Sequence, residues 1–314
     1  MLSVSIVIPA WNEQDRIADC LTNATRQSVA PHEVIVVDNR SSDNTCHIVE
    51  RFMDRNPGSP VRLLHQEVEQ GLIPTRNYGF NHATGDVLGR VDADCMLKPD
   101  WVEVVARLFT NDSTAMGATG PVAYYDMPAK HMAFRGDDRV RRNTYRADGG
   151  QVLLFGSNMA VRASAWRVIA GQVCRDRDDV MHEDIDLSLH LFDNDMKTVY
   201  LRNMICAISA RRMDTSLASF LNYMRRFRNT FDAHPDHWRR HKTERALISL
   251  YPGLRLLYPV YQKYLDVLDV NPAERIWLGE QIELAEREGE REDLNGGQRT
   301  REKTDSAYSS NAPL

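Results

Sequence analysis

Two short acidic stretches carry the side chains best suited to chemistry. The first is Asp92-Ala93-Asp94, which follows the apolar residues Val87, Leu88 and Val91 and precedes Lys98-Pro99-Asp100-Trp101. This pattern predicts a strand that ends in carboxylates and then gives way to a helix. With both aspartates extended, their alternate-residue spacing puts the side chains on one side of the strand, where they converge on a single cation. The second stretch is Met181-His182-Glu183-Asp184-Ile185-Asp186-Leu187, which opens a helix with acids in its first turn. Carboxylates there are favoured by the helix dipole, so capping competes with catalysis as their role. A third acid, Asp38, closes the apolar run Val34-Ile35-Val36-Val37.

The elements that must hold these acids alternate. Val4-Ser5-Ile6-Val7-Ile8 is β-branched and nearly continuous in apolarity, as expected of a strand covered on both faces. After Pro9-Ala10-Trp11-Asn12-Glu13, the spacing of Ile17, Leu21 and Ala24 gives an amphipathic helix. Glu33–Asp38 is a second buried strand, Ser41-Ser42-Asp43-Asn44-Thr45 caps a helix through about Asp54, and Val61–Leu64 makes a third strand. Gly71–Gly79 opens the next helix. Val152–Phe155 resumes the sheet, and Gly156-Ser157-Asn158-Met159-Ala160 turns into another strand ahead of a helix from Ala163 to Ile169. Such alternation predicts an α/β fold with a mostly parallel sheet, whose ligands sit beyond the carboxyl ends of its strands. The basic stretch from Ala129 to Arg146 reads as a helical insertion with a solvated face, in preference to a phosphate-binding one.

Composition narrows the chemistry. The 314 residues are 42% hydrophobic and 26% charged, enough to bury a substantial core. A net charge of −5, with 39 basic residues against 44 acidic, gives no reason to expect a nucleic-acid partner. The five cysteines, at 20, 46, 95, 174 and 206, are widely spaced and contain no CxxC pair, which argues against a disulfide framework and a zinc site and favours a reducing compartment. The amino-terminal stretch lacks a basic region before Pro9, and no run approaches the ~18 apolar residues of a spanning helix. The expectation is a cytoplasmic protein with no transmembrane segment, peripheral contact with the inner face of the cell membrane remaining open. No P-loop or HExxH sequence offers another chemistry.

Taken together and in order, Ser5–Glu13, Val36–Thr45, Arg76-Asn77-Tyr78-Gly79, Asp92-Ala93-Asp94, Gly156–Ala160 and Glu183–Leu187 resemble the motifs of family 2 glycosyltransferases of the GT-A fold, over roughly residues 3 to 230. That fold is Rossmann-like, a mostly parallel central sheet flanked by helices. The resemblance implies transfer of a sugar from a nucleotide diphosphate donor, of UDP or GDP type, to an acceptor hydroxyl with inversion. The acceptor class stays open between a glycan, a small molecule and a lipid-linked sugar. It further implies Mn²⁺ or Mg²⁺ held by Asp94, with Asp92 beside it on the donor, because a hard cation neutralises the departing diphosphate. Pro9, Ala10, Glu13, Asp38, Arg76 and Ala93 would line the nucleotide-sugar pocket. Asp184 matches the family's general base, with Glu183 as the alternative. Asn39, Arg90 and Cys95 depart from the pattern. By strand alternation Arg90 shares a face with the two aspartates and could hold them or reach a phosphate. Cys95 is too soft a ligand for a hard cation.

Past the motifs, Phe220, Tyr223, Met224 and Phe227 form a helical stripe, with Arg225 and Arg228 as loose matches to a family position that contacts the diphosphate. The expected organisation is a catalytic domain over 1–235, a helical extension over 236–290 and a disordered tail over 291–314. The apolar, aromatic segment 246–270 packs on the domain by default, with a homodimer interface or a membrane surface as the other options. Two other activities compete with glycosyl transfer. A sugar-nucleotide-forming nucleotidyltransferase wants a glycine-rich loop after the first strand, which is absent. A catalytically silent nucleotide-sugar-binding domain would be expected to lose Asp94 or Asp184, and both are present.

Overall fold

The computed structural model describes residues 1–127, 130–147, 149–240, 251, 255–261 and 263. In chain order the elements are β1 (Val4–Ala10), α1 (Ile17–Thr25), β2 (Glu33–Asp38), α2 (Thr45–Arg55), β3 (Val61–His65), α3 (Leu72–His82), β4 (Val87–Arg90), β5 (Met96–Leu97) and α4 (Trp101–Asn111). They continue as β6 (Ala115–Thr119), β7 (Val122–Tyr124), α5 (Lys130–Ala147), β8 (Met159–Arg162), α6 (Ala163–Ile169), α7 (Glu183–Asp193), β9 (Lys197–Tyr200), β10 (Cys206–Ile208) and α8 (Leu217–Ala233). Every residue of β1 and β2 is buried, in keeping with their nearly continuous apolar runs.

Seven strands form one sheet in the order β3-β2-β1-β4-β8-β6-β9. All its pairings are parallel except those of β8, which runs antiparallel to β4 and to β6. A smaller sheet, β5-β10-β7, lies apart from it in the hydrogen-bonding order. Helices cover both faces. Alternate residues Ile6, Ile8, Val34 and Val36 join a core with Leu21, Trp101, Val105 and Phe109, while Val7, Ile35, Val37 and Leu88 join one with Phe80, Trp166, Leu187 and Leu191. Gly79 lets α3 press on the sheet, since a Cβ there would lie 2.3 Å from Val7 Cγ1 and 3.0 Å from Val37 Cγ2.

Three sequence expectations are corrected. The strand before the aspartates stops at Arg90, and Asp92–Cys95 is a turn closed by the Cys95 N–H donating to the Asp92 carbonyl at 3.0 Å. Val152–Phe155 joins no ladder. The Val152 N–H and carbonyl both bind the Thr198 hydroxyl at 2.8 Å, and the Leu154 N–H donates to Ser188 Oγ at 2.8 Å, so side-chain hydroxyls take the bonds a neighbouring strand would supply. The basic helix α5 is bound rather than simply solvated. Arg141 is buried, pairs with Asp137 at 2.7 Å and stacks on Phe155, Arg142 pairs with Asp138 at 3.0 Å, and Asp138 also accepts from the Tyr200 hydroxyl at 2.9 Å.

From the carboxyl-terminal region, Tyr251 stacks on Phe220 of α8 with ring centroids 3.5 Å apart, and the Tyr258 hydroxyl donates to Asp126 at 3.0 Å. These residues pack on the domain, while Leu256, Leu257 and Val260 are exposed. Most of the expected extension over 236–290, most of the 246–270 dimer segment and the whole 291–314 tail lie outside the described residues. Among the described residues, no helix is long and apolar enough to cross a membrane.

Candidate active site

The site is built on the carboxyl ends of β1, β2 and β4. Ala10 pairs in register with Asp38, so the loops that follow β1 and β2 leave side by side. They are stitched together: the Asn12 N–H donates to Ser41 Oγ at 2.9 Å, the Ser42 N–H to Asn12 Oδ1 at 2.8 Å and the Glu13 N–H to Thr45 Oγ1 at 2.8 Å. Pro9, Ala10 and Asp38 are buried at this junction. Asp38 Oδ2 accepts from the Ser41 N–H at 3.3 Å, but Oδ1 has no hydrogen-bond partner among the described residues. A buried carboxylate oxygen without a donor is costly to leave so. Asn39 has a different task. Its amide donates to the Gln66 and Glu69 carbonyls at 2.8 and 2.9 Å while accepting from the Gly71 N–H at 2.8 Å, tying β2 to the loop before α3. A carboxylate could not donate those bonds, which explains why an amide stands there.

At the end of β4 the turn, rather than a strand, brings Asp92 and Asp94 together. Donor atoms of Asp92, Asp94 and Cys95 all lie within 4.8 Å of one another. Asp92 is half-exposed and Asp94 buried. Burial and the charge of Asp92 push the Asp94 carboxyl up to about 7, against the opposing pull of Arg211. Two carboxylates that repel one another at this spacing suit a hard divalent cation. The Cys95 thiol does not: burial raises it well above the ordinary thiol range, and it donates to the Ser157 carbonyl at 3.2 Å.

Arg211, which the sequence reading missed, closes this corner. It begins the short 3₁₀ turn Arg211–Asp214 after β10 and places Nε 3.1 Å from Asp94 Oδ2. Its two terminal nitrogens take both oxygens of Glu13 at 2.8 and 2.6 Å. A half-exposed guanidinium therefore bridges the β1 loop and the acidic turn. The only sequence signal was a pair of arginines after an apolar strand, with nothing to indicate that they face Asp94.

The second acidic stretch sits where it can meet the first. Glu183 is buried and held by two arginines: Arg76 Nη1 lies 2.8 Å from Oε2, and Arg90 Nη2 lies 3.3 Å from Oε1. The same Arg90 nitrogen is 2.7 Å from Asp92 Oδ1, so one guanidinium joins the two acidic clusters. Burial pushes Glu183 up to about 6, with Arg90 and Arg76 holding it down from a higher value. Despite its own burial, Arg90 is kept firmly charged by Asp92 and Glu183. Asp184 is the half-buried member of the pair. Its Oδ2 accepts from the Gly156 N–H at 2.8 Å and its Oδ1 from the Ile185 N–H at 2.9 Å, which fixes its orientation at the first turn of α7. Gly156 has no alternative, because a Cβ there would sit 2.0 Å from Arg90 Nη1 and 2.5 Å from Glu183 Oε1.

Other sequence candidates are placed elsewhere. Arg76 is fully buried and directed at Glu183 rather than at open space. Asn158 is structural, accepting from Trp101 Nε1 at 2.8 Å and donating to the Pro121 and Met204 carbonyls at 3.0 and 2.7 Å. Arg225 and Arg228 bond to Asn222 and Asp232 of their own helix.

The chain as a whole has relatives. The family model described as Glycosyl transferase family 2 matches residues 5–167, more than half of the chain. The chain belongs to glycosyl transferase family 2. A related model, Glycosyl transferase family group 2, matches residues 90–268. Among curated family members, the glycosyltransferase AglE of Haloferax volcanii is 34% identical over 102 residues, 32% of this chain and 33% of that protein. The chondroitin synthase of Pasteurella multocida is 33% identical over 111 residues, 35% of this chain and 11% of that protein. The matched stretch thus spans about a third or less of these relatives' length. Among solved structures, the mannosyltransferase PcManGT from Pyrobaculum calidifontis, in complex with GDP-Man and Mn²⁺, aligns with a TM-score of 0.57 at 18% identity, covering 90% of this chain and 80% of that one. TarS 1-349 of S. aureus, in complex with UDP-GlcNAc, aligns with a TM-score of 0.54 at 17% identity, covering 73% and 65%. At such identities the likeness shows the fold, which is GT-A. In this member a buried Arg90 links the two acidic clusters.

Proposed function

We propose that this family 2 member is an inverting glycosyltransferase that moves a sugar from a UDP- or GDP-type donor to an acceptor hydroxyl, with Asp184 as general base. The observation that carries this reading is the division of labour between two adjacent carboxylates. Glu183 is neutralised by Arg76 and Arg90 and closed to solvent, whereas Asp184 is partly open and oriented by two backbone N–H groups. A base must reach the acceptor hydroxyl, and only Asp184 of the two is accessible.

On this reading the orphaned Asp38 oxygen accepts from the nucleotide base, with Pro9, Ala10 and Glu13 as the wall of its pocket. Asp92 and Asp94 would hold Mn²⁺ or Mg²⁺, which would supply neutralisation of charge on the departing diphosphate. Asp184 takes the proton of the acceptor hydroxyl as that oxygen attacks the anomeric carbon from the face opposite the leaving group. Arg90 sets the spacing between the donor and acceptor halves by gripping Asp92 and Glu183 together. Arg76 supports it as a positioning residue. The donors named for the two solved relatives, GDP-Man and UDP-GlcNAc, support a nucleotide-sugar donor and leave its base and sugar open between them. The test is a donor screen: UDP- and GDP-sugars with Mn²⁺, scored for nucleoside diphosphate release with and without candidate acceptors. Metal-dependent release from at least one donor is expected. No binding or turnover of any UDP- or GDP-sugar would overturn the reading.

A further inference from the structure

Behind the site, on the far side of the first turn of α7, four side chains that the mechanism does not use point at one another. Cys174 Sγ lies 3.9 Å from His190 Nε2 and 3.9 Å from His234 Nε2. Asp186 Oδ1 lies 2.9 Å from His234 Nε2 and 3.5 Å from His190 Nε2. All four donor atoms fall within 4.8 Å of one another. We infer that Cys174, Asp186, His190 and His234 form a structural zinc site.

The geometry fits this ion. With Zn–S near 2.3 Å and Zn–N or Zn–O near 2.0 Å, a tetrahedron has edges of about 3.3 to 3.6 Å. The four measured separations scatter around those lengths. One sulfur, two imidazole nitrogens and one carboxylate oxygen are the mixed donor set that zinc accepts, and four protein ligands close the site to substrate, as in structural centres. The ligands are also oriented. Asp186 and His190 stand four residues apart on one face of α7, and the histidine rings meet at 76°, edge towards face. The Cys174 N–H donates to Asp186 Oδ2 at 3.1 Å, which occupies that oxygen and leaves Oδ1 to the centre. Asp186 is fully buried and His234 nearly so, which sets this cluster apart from a surface group of acids.

The ion would staple three separate segments: the loop after α6, helix α7 through Asp186 and His190, and the residue that caps α8. Asp186 is two residues beyond Asp184, so the staple fixes the helix that carries the base. The cysteine spacing in the sequence argued against zinc, because that argument looks for local pairs. Here the ligands come from three separate segments that only the fold assembles.

The test uses the full chain and two probes. Elemental analysis of protein purified without added chelator is expected to find about one tightly held zinc per chain. Titration of metal-stripped protein with Co²⁺ is expected to give a thiolate-to-cobalt charge-transfer band. Cys95→Ser should keep that band, and Cys174→Ser should lose it and weaken zinc binding at least about tenfold. His234→Ala should weaken zinc binding as well. Absence of tight zinc and of the band in the wild-type chain would overturn the proposal, as would a band lost in Cys95→Ser. If Cys174→Ser fails to fold, the wild-type and Cys95→Ser titrations still decide. None of these readouts depends on glycosyl transfer.

Discussion

Replacing Arg90 by Leu removes the one guanidinium that touches both acidic clusters. The side chain is 2% exposed, so its loss leaves Glu183 buried with Arg76 as its only cation among the described residues and frees Asp92 into half-exposed surroundings. Breaking a buried ion pair from one side costs about 3–5 kcal/mol, because the remaining charge stays desolvated. For a chain of this size that corresponds to a fall of about 4–8 °C in Tm. Glu183 already sits near 6, and removal of a cation that holds it down raises it further, so the cost is largest above neutral pH and shrinks as pH falls and Glu183 takes up a proton. Glu183→Gln removes the charge that Arg90 answers. The double variant should therefore be less destabilised than the sum of the single ones, by about 1–3 kcal/mol. The assay is urea and thermal unfolding of the wild type, Arg90→Leu, Glu183→Gln and the double variant, with donor KM measured alongside. KM should rise in Arg90→Leu, since Asp92 loses its anchor. Additivity within about 0.5 kcal/mol, or a single-variant loss below that, would refute the clamp.

Gly156→Ala forces a Cβ into Arg90 and Glu183 and should cost about 1–3 kcal/mol in unfolding experiments, with turnover falling more than donor binding. Arg211→Gln removes a resident cation from Asp94; at pH 8, Mn²⁺ affinity without donor, read by electron paramagnetic resonance, should rise by up to about fivefold, the worth of a half-exposed ion pair. His182 is buried between Tyr223 and Phe227, and burial lowers it to about 4 although Asp184 pulls the other way. The unfolded chain takes a proton near 6.5 and the folded one resists until about 4, so stability present above 6.5 is lost as pH falls through that window. The loss approaches about 3 kcal/mol, and His182→Gln should flatten it in urea midpoints measured at pH 7 and 4.5.

Much of the frame was legible because burial leaves a direct mark on composition. The nearly continuous apolar runs of β1 and β2 predicted covered parallel strands, and Asp38 was placed at a strand end, where the fold puts it, while Asp92 and Asp94 lie in the turn just past β4. What the sequence hid were bonds made by side chains to distant backbone. The run Val152–Phe155 looked like a strand because it is apolar, but Thr198 and Ser188 take its hydrogen bonds. Asp92 and Asp94 converge through a turn that alternation cannot predict. Arg76 looked available to a ligand, and only packing under α7 shows it spent on Glu183. Arg211 and the cluster of Cys174, Asp186, His190 and His234 were invisible for the same reason: apart from the Asp186–His190 pair on one helix, the partners lie far apart in sequence and no local spacing encodes them.

The central claim is that Asp184, and not Glu183, removes the acceptor proton. Asp184→Asn keeps an acceptor for the Gly156 N–H and removes the base. In a transfer assay with a donor identified by the screen, the account predicts a fall in transfer of about 10²–10⁴-fold with donor and Mn²⁺ affinity unchanged. Transfer by Asp184→Asn at close to the wild-type rate, with the same dependence on metal, would contradict it.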